Sequence, residues 1–526
     1  MFFGALVRLW GIQRQVLNGD ELHALRIASE RSLASILTQY DQDVDNSVPL
    51  TALVRLALAG GLRPSELVLR APVLLAGVAL VPALALAAGR VLGKRVACVF
   101  AWLLAVSPLL VIYGRILRSY GPILLLAPLA VLAFHRWLEQ GKRGDAWLYA
   151  VAAPFAAYFH MVSAVFVAAP LAYALLTLRR RPAGPGLRAV VGLGAATALI
   201  ASLLFVPIAP SLLSFAREKS GEGLWQWSTV WKTLRLQTGV FSPWLAALFW
   251  AACVLGTLRL ARQRPGLASY LSFLCAAHLA ALLLVSPAKY SNVLVFDRYV
   301  LLLLPILLLF VACAFGIEES SGGGARGLLG HALPAALGAL LVCSGPLTSD
   351  KYLHGSFTHH NRFLSFLDRR FASAPEDHSS PPFYARLADD GDARVIVEFP
   401  VDYRWSRCNA PYYNQDVHGK EVLISSDLTL YRDARFRWRN AVSSDPSAYL
   451  ACRADYLVVH LDPGTEERLF QKNALYDEPA WRSLSVRAQA LTRDLRARWG
   501  EPIFADTETS VWDLRRVRAT AATRTR

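Results

Sequence analysis

KRGDAWLYAVAAPFAAYFHMVSAVFVAAPLAYALLTLRRR, residues 142–181, is an apolar run fenced by Lys142 and Arg143 on one side and by Arg179, Arg180 and Arg181 on the other. A membrane helix needs about 20 apolar residues, so 145–178 is too long for one crossing and long enough for two. Basic residues concentrate in cytoplasmic connections. Both fences are therefore cytoplasmic, the run crosses twice, and its midpoint near His160 faces outside.

The same reasoning extends outward along the chain. Apolar runs of spanning length occur at 68–88, 96–113, 120–138, 188–210, 242–261, 266–286, 298–317 and 326–345. Four short connections, 89–95, 136–144, 179–188 and 259–264, carry thirteen Lys or Arg in 32 residues and read as cytoplasmic. Counting from them puts 18–67, 114–119, 211–241, 287–297 and everything after 345 outside. The run PLTALVRLALAGG at 49–61 cannot cross without inverting every later helix, and it reads as a helix in the outer interface. MFFGALVRLWGIQRQVL lacks the clean apolar core and cleavage site of a signal peptide and reads as a shortened first transmembrane helix, N-terminus inside. The sum is about eleven spans, N-in and C-out.

Composition agrees. The chain is 54% hydrophobic and only 18% charged, against about 25% charged in soluble domains. Residues 1–349 hold 29 Lys plus Arg against 14 Asp plus Glu, whereas 350–526 hold 26 against 25, so the net charge of +16 belongs almost wholly to the apolar part. Cations distributed between hydrophobic runs act as topology signals and do not form the single basic face of a nucleic-acid binder. Arg outnumbers Lys 47 to 8, which fits a GC-rich bacterial genome and a place in the bacterial cytoplasmic membrane.

From 350 onward the pattern changes to short β-rich runs, ARVIVEFP at 393–400, EVLISS at 421–426, YLVVHL at 456–461 and VWDL at 511–514, with polar helical stretches between. This predicts a soluble extracytoplasmic α/β domain over 350–526, following a transmembrane domain over 1–349. Five of the seven cysteines sit in or beside apolar runs as small hydrophobes, leaving Cys408 and Cys452 as the sole candidate structural pair.

The outer side collects polar chemistry. One outer loop holds Asp20, Glu21, Asp41, Asp43 and Asp45, carboxylates suited to general-base work or to a cation. Tyr113, Arg115, Arg118 and Tyr120 occupy a very short outer loop, and His160, Arg217, Lys219, Lys289 and Arg298 stand at other outer ends. Cations on the side that topology disfavours fit a phosphate at headgroup level; snorkelling to lipid headgroups would also place them there. No HExxH, paired CxxC or Walker sequence is present, so hydrolytic zinc chemistry and nucleotide-driven transport find no support.

The order of these features resembles the GT-C membrane glycosyltransferases, in the branch of the protein O-mannosyltransferases and the lipid A aminoarabinose and lipopolysaccharide galacturonic acid transferases. RLWGIQRQVLNGDE at 8–21 is similar to the end of the family's first helix and its acidic motif. DNSVPLTALVRLAL at 45–58 resembles its D-x-H-P-P-L segment, with Ser47 and Val48 where the pattern has His and Pro. LRAPVLLAG at 69–77, SPLLVIYGRILRSYG at 107–121, FHMVSAVF at 159–166 and DRYVLLLLP at 297–305 also look familial.

The resemblance implies a GT-C fold and inverting transfer of a sugar from a polyprenyl-phosphate donor to an outer acceptor, whether glycan, lipid or protein. In that reading Asp20 is the catalytic base, with Glu21 beside it, and Asp43 and Asp45 orient the acceptor or a divalent cation. Arg115, Arg118, His160, Lys219 and Arg298 offset charge on the departing phosphate. No cofactor is required, the divalent cation is left open, and membrane lipids are the other expected partners. Two other readings remain: an inactive GT-C scaffold that binds glycan or a partner protein, and a lipid or solute transporter.

Overall fold

The computed structural model describes residues 2–10, 12, 21, 24–25, 27–28, 31–40, 47–60, 66–178, 184–219, 227–240, 242–285, 293–316, 334–340, 343, 381–399, 417–418, 420–423, 446–451, 454–462 and 478–524. Contacts divide the chain into two compact units. The first is Met1–Trp10, Ala34–Ala52 and Arg70–Leu367; the second is Gly11–Leu33, Leu53–Leu69 and Asp368–Arg526.

The helices run, in order, α1 Phe2–Leu9, α2 Leu33–Thr38, α3 Val48–Ala59, α4 Glu66–Leu92, α5 Lys94–Val106, α6 Pro108–Tyr113, α7 Tyr120–Gln140, α8 Arg143–Phe159, α9 Ser163–Thr177 and α10 Leu187–Phe205. They continue as α11 Ala209–Lys219, α12 Trp227–Gln237, α13 Pro243–Gln263, α14 Pro265–Val285, α15 Val293–Val300 and α16 Leu304–Gly316. Among the described residues, six helices are long and apolar enough to cross a membrane: Leu67–Leu92, Tyr120–Gln140, Leu187–Ser214, Pro243–Gln263, Pro265–Leu284 and Phe296–Gly316.

The other expected spans have local reasons for looking different. The run 96–113 is two helices, because Pro108 has no N–H to give and holds Ser107 in an extended conformation, φ −60° and ψ 117°. The run 145–178 is the helix pair α8 and α9, 17 and 15 residues long, broken at His160. Of the first span, α1 is described and most of 11–20 is not, and of 326–345 only 334–340 and 343 are described. The segment read as interfacial is the 12-residue helix α3.

Two buried arginines hold α1 in the first unit. Arg8 donates from Nη1 to the Gly4 and Ala105 carbonyls, at 2.9 and 3.2 Å, and from Nη2 to Leu104 at 3.0 Å. Leu104 and Ala105 lie in the last turn of α5, whose carbonyls have no intrahelical partner and carry the negative end of the helix dipole. Arg115 does the same for α1, donating to Val7 at 2.9 Å and Trp10 at 2.8 Å. The positive charge that interrupts the first apolar run is thus matched by backbone.

α7 and α8 form an antiparallel hairpin turned by Gly141, whose φ of +66° a side chain would oppose. Tyrosines bind the bundle helices together: Tyr149 donates to Val167 O and Tyr270 to Val131 O, both at 2.7 Å. Gly77 of α4 meets Gly114 after α6 so closely that a Cβ on Gly77 would lie 2.9 Å from the Gly114 carbonyl oxygen. That contact seats the turn 114–119 against α4.

The second unit contains α17 Pro382–Asp389, β1 Val395–Phe399, β2 Glu421–Leu423, α18 Pro446–Ala451, β3 Tyr456–His460, α19 Glu478–Trp499, β4 Phe504–Ala505, β5 Thr509–Asp513 and α20 Leu514–Arg524. The sheet order is β2-β1-β3-β5-β4, parallel among β2, β1 and β3 and antiparallel at β5 and β4. Every residue of β1, β3 and β5 is buried, as in a sheet covered by helices on both faces. β1, β2 and β3 fall within three of the β-rich runs and β5 overlaps the fourth, whereas the two-residue β4 was not among them. Cys408 and Cys452 lie outside the described residues.

Candidate active site

The short loop between α6 and α7 brings Tyr113 and Tyr120 together, ring centroids 5.0 Å apart. Against Tyr120 lies His160, at 5.5 Å, and 6.4 Å from His160 stands the ring of Tyr299. Three separated pieces of sequence therefore meet at one end of the bundle.

His160 is placed by the break it occupies. It ends α8 in extended conformation, φ −159°, while its carbonyl accepts from Ser163 Oγ at 2.9 Å. Its Nδ1 accepts the Val162 N–H at 3.3 Å, which leaves Nε2 as the nitrogen that carries hydrogen.

Arg298 and Asp297 of α15 lie within electrostatic reach of the Tyr113 hydroxyl. That hydroxyl is buried and makes no hydrogen bond of ordinary geometry. Asp297 is fully buried. Gln237 Nε2 donates to its Oδ1 at 2.7 Å and to its carbonyl at 3.2 Å, whereas Oδ2 has no partner among the described residues. A buried carboxylate and a half-buried guanidinium side by side compensate each other's charge, and Arg298, the His160 ring and the Tyr113 hydroxyl place donor chemistry at this end of the bundle.

The other expected site residues are distributed as follows. Arg115 is buried and directs Nη1 and Nη2 onto the carbonyls of α1. Arg118 is half-buried in the 114–119 turn, its N–H donating to Ile116 O at 2.6 Å. Lys219 ends α11, and its side chain lies outside the described residues, as do Asp20, Asp43 and Asp45. Glu21 is helical and fully buried in the second unit. Ser47, which stands in place of the family's His, is buried. Among the described residues no group of three His, Cys, Asp or Glu gathers as metal ligands would.

Sequence reasoning named Arg298 and passed over Asp297 and Gln237. An ionisable residue opening a strongly apolar helix is itself a signal for Asp297; nothing local marks Gln237. A second polar cluster was also unforeseen. In the sheet unit, His460 Nε2 lies 2.9 Å from a carboxylate oxygen of Glu398 near the end of β1, with Tyr384 Oη 3.2 Å from the same nitrogen. His418 stacks on Tyr384 at 5.3 Å. Burial, aided by the Lys420 charge, pushes His418 down to about 3.

Residues 50–206 match the family described as dolichyl-phosphate-mannose-protein mannosyltransferase, a stretch that contains Tyr113, Arg115, Arg118, Tyr120 and His160. The match covers under a third of the chain, and that stretch is similar to this family. No curated protein matches the sequence. Among solved structures, ArnT from Cupriavidus metallidurans in the apo state is 13% identical at a TM-score of 0.47, covering 96% of this chain and 95% of that one. The same protein bound to undecaprenyl phosphate is 14% identical at 0.47, covering 96% of each. The Archaeoglobus fulgidus oligosaccharyltransferase in complex with Zn and sulfate is 11% identical at 0.44, covering 93% of this chain and 70% of that one.

Proposed function

We propose that this chain is an inverting glycosyltransferase that moves a sugar from a polyprenyl-phosphate donor to an acceptor on the extracytoplasmic side of a bacterial cytoplasmic membrane. The observation that carries the reading is the convergence of Tyr113, Tyr120, His160 and Arg298 at one end of an apolar bundle, three of them within the segment that matches the mannosyltransferase family. A phosphate on a membrane-embedded lipid needs such donors at the bundle's mouth, and it supplies its own leaving group, so no nucleotide is required.

In this reading the acceptor oxygen attacks the anomeric carbon, and the bond from that carbon to the phosphate oxygen breaks with its electron pair leaving on the phosphate. Asp20 takes the acceptor proton. Glu21, Asp43 and Asp45 orient the acceptor or a cation. Arg298, His160, Arg118 and Lys219 oppose the charge that grows on the phosphate, as preorganised donors do best in a site shielded from water. Arg115 supports the site by anchoring α1.

Membranes containing the chain, supplied with sugar-charged polyprenyl phosphate and acceptor, test this directly. Free polyprenyl phosphate should appear in proportion to glycosylated acceptor, and Asp20→Asn should lower that rate by about a hundredfold or more. Full transfer by Asp20→Asn would remove the base assignment. Absence of any donor-dependent release by the unaltered chain would remove the enzyme.

A further inference from the structure

The opposite end of the same helices holds a second, unassigned site. α7 is 21 residues long, and at 1.5 Å per residue about 24 Å of it separates Tyr120 at its start from Arg136 near its end. There a cleft of about 680 Å³ is lined by Arg90, Arg136, Gln140, Lys142, Gly144 and Asp145. Three cations against one carboxylate leave it net positive.

Arg136 is the built part of this cleft. Its side chain is 4% exposed and pairs through Nη2 with Asp145. Its Nε and Nη1 are buried and have no hydrogen-bond partner among the described residues. Leaving charged donors buried and unmatched is costly, and the oxygens of an oxyanion reaching the guanidinium would match them. The N-terminus of α8 adds to the field: Lys142 stands at its N-cap with no side chain satisfying the first-turn N–H groups, and at Gly144 a Cβ would touch nothing within 4 Å, so backbone there is open to a ligand. Leu148 supplies an apolar wall, and Trp147, 64% exposed, suits the membrane–water boundary.

The geometry points to a phosphate-binding site at the end of the bundle that carries the basic connections, filled by the phosphate of an anionic lipid headgroup or by free phosphate. Basic clefts between membrane helices at the cytoplasmic surface take such headgroups. The exposed Arg90 and Lys142 attract the anion, Arg136 grips it, and Asp145 keeps the Arg136 fork in place when the cleft is empty. This site is independent of the transfer reaction and of Asp20.

The test uses the full chain in detergent, with phosphatidylglycerol, phosphatidylcholine or inorganic phosphate as the probe, read by native mass spectrometry and by the thermal midpoint. Phosphatidylglycerol should bind and raise the midpoint, phosphatidylcholine should not, and Arg90→Gln with Lys142→Gln should weaken phosphatidylglycerol about 30-fold. The double variant should keep the midpoint of the unaltered chain in phosphatidylcholine, which separates loss of the site from loss of the fold. Arg136→Gln should abolish binding in the same assay. Stabilisation by inorganic phosphate alone, lost in the same variants, would identify soluble phosphate as the occupant. Equal binding by the double variant and the unaltered chain, or no response to either phosphate source, would overturn the site.

Discussion

Arg115 Nη1 donates to the Val7 carbonyl at 2.9 Å across 108 residues of sequence. With Arg8 capping α5 from the other direction, the two arginines form a reciprocal clamp in which each charge closes the carbonyl end of another segment. An arginine that looks like a phosphate ligand in the motif SPLLVIYGRILRSYG thereby holds α1 in its unit.

Arg115→Gln is expected to lose two charge-assisted hydrogen bonds and to lower stability by about 3 kcal/mol. Thermal unfolding of the solubilised protein checks it. A variant that unfolds normally yet binds donor lipid more weakly would return Arg115 to the phosphate.

Arg298→Gln and His160→Ala remove donors from the cluster around Tyr113 and Tyr120. Each should lower transfer by about a hundredfold at unchanged membrane abundance, and Arg298→Lys should recover part of the rate because the point charge survives the loss of the planar fork. Initial rates with matched protein levels decide the matter. Unchanged rates in both variants would detach this cluster from catalysis.

Gly77→Val should disturb the site without touching it. The added Cβ meets Gly114 backbone at 2.9–3.0 Å, where no side chain can swing away, and overpacking of this kind costs about 1–3 kcal/mol. The turn that carries Arg118 must move, so activity should fall further than the thermal midpoint suggests. The Gly77→Ala variant, with one methyl, should show a smaller version of both effects.

The sheet unit should be acid-sensitive through His418. Burial pushes this group down to about 3 in the folded chain, against about 6.5 unfolded, so the unfolded state binds the extra proton first. Its contribution is intact above pH 6.5 and is lost as pH falls from there toward 3. At pH 5 the loss is about 2 kcal/mol. The Lys420 N–H donates to His418 Nδ1 at 3.0 Å, and protonation would break that bond as well. Unfolding midpoints of the full chain between pH 7 and 5 should decline less in His418→Phe, which retains a ring to stack on Tyr384.

The apolar runs, their basic fences, the helix pair broken at His160 and the four β-rich runs were legible in the sequence because each depends on neighbours a few residues away: hydrophobic length, flanking charge and alternation are local. Pro108 also announces the break after Ser107, although a count of apolar residues overlooks it. What only the tertiary structure decided is which polar groups meet. Tyr113 and Arg298 are brought into reach of each other, Gln237 bonds Asp297, and Arg115 turns to Val7, through packing of helices far apart in the chain. A guanidinium has the same charge whether it faces a phosphate or a helix end, so its sequence position gives its chemistry, while the helices packed around it determine its partner.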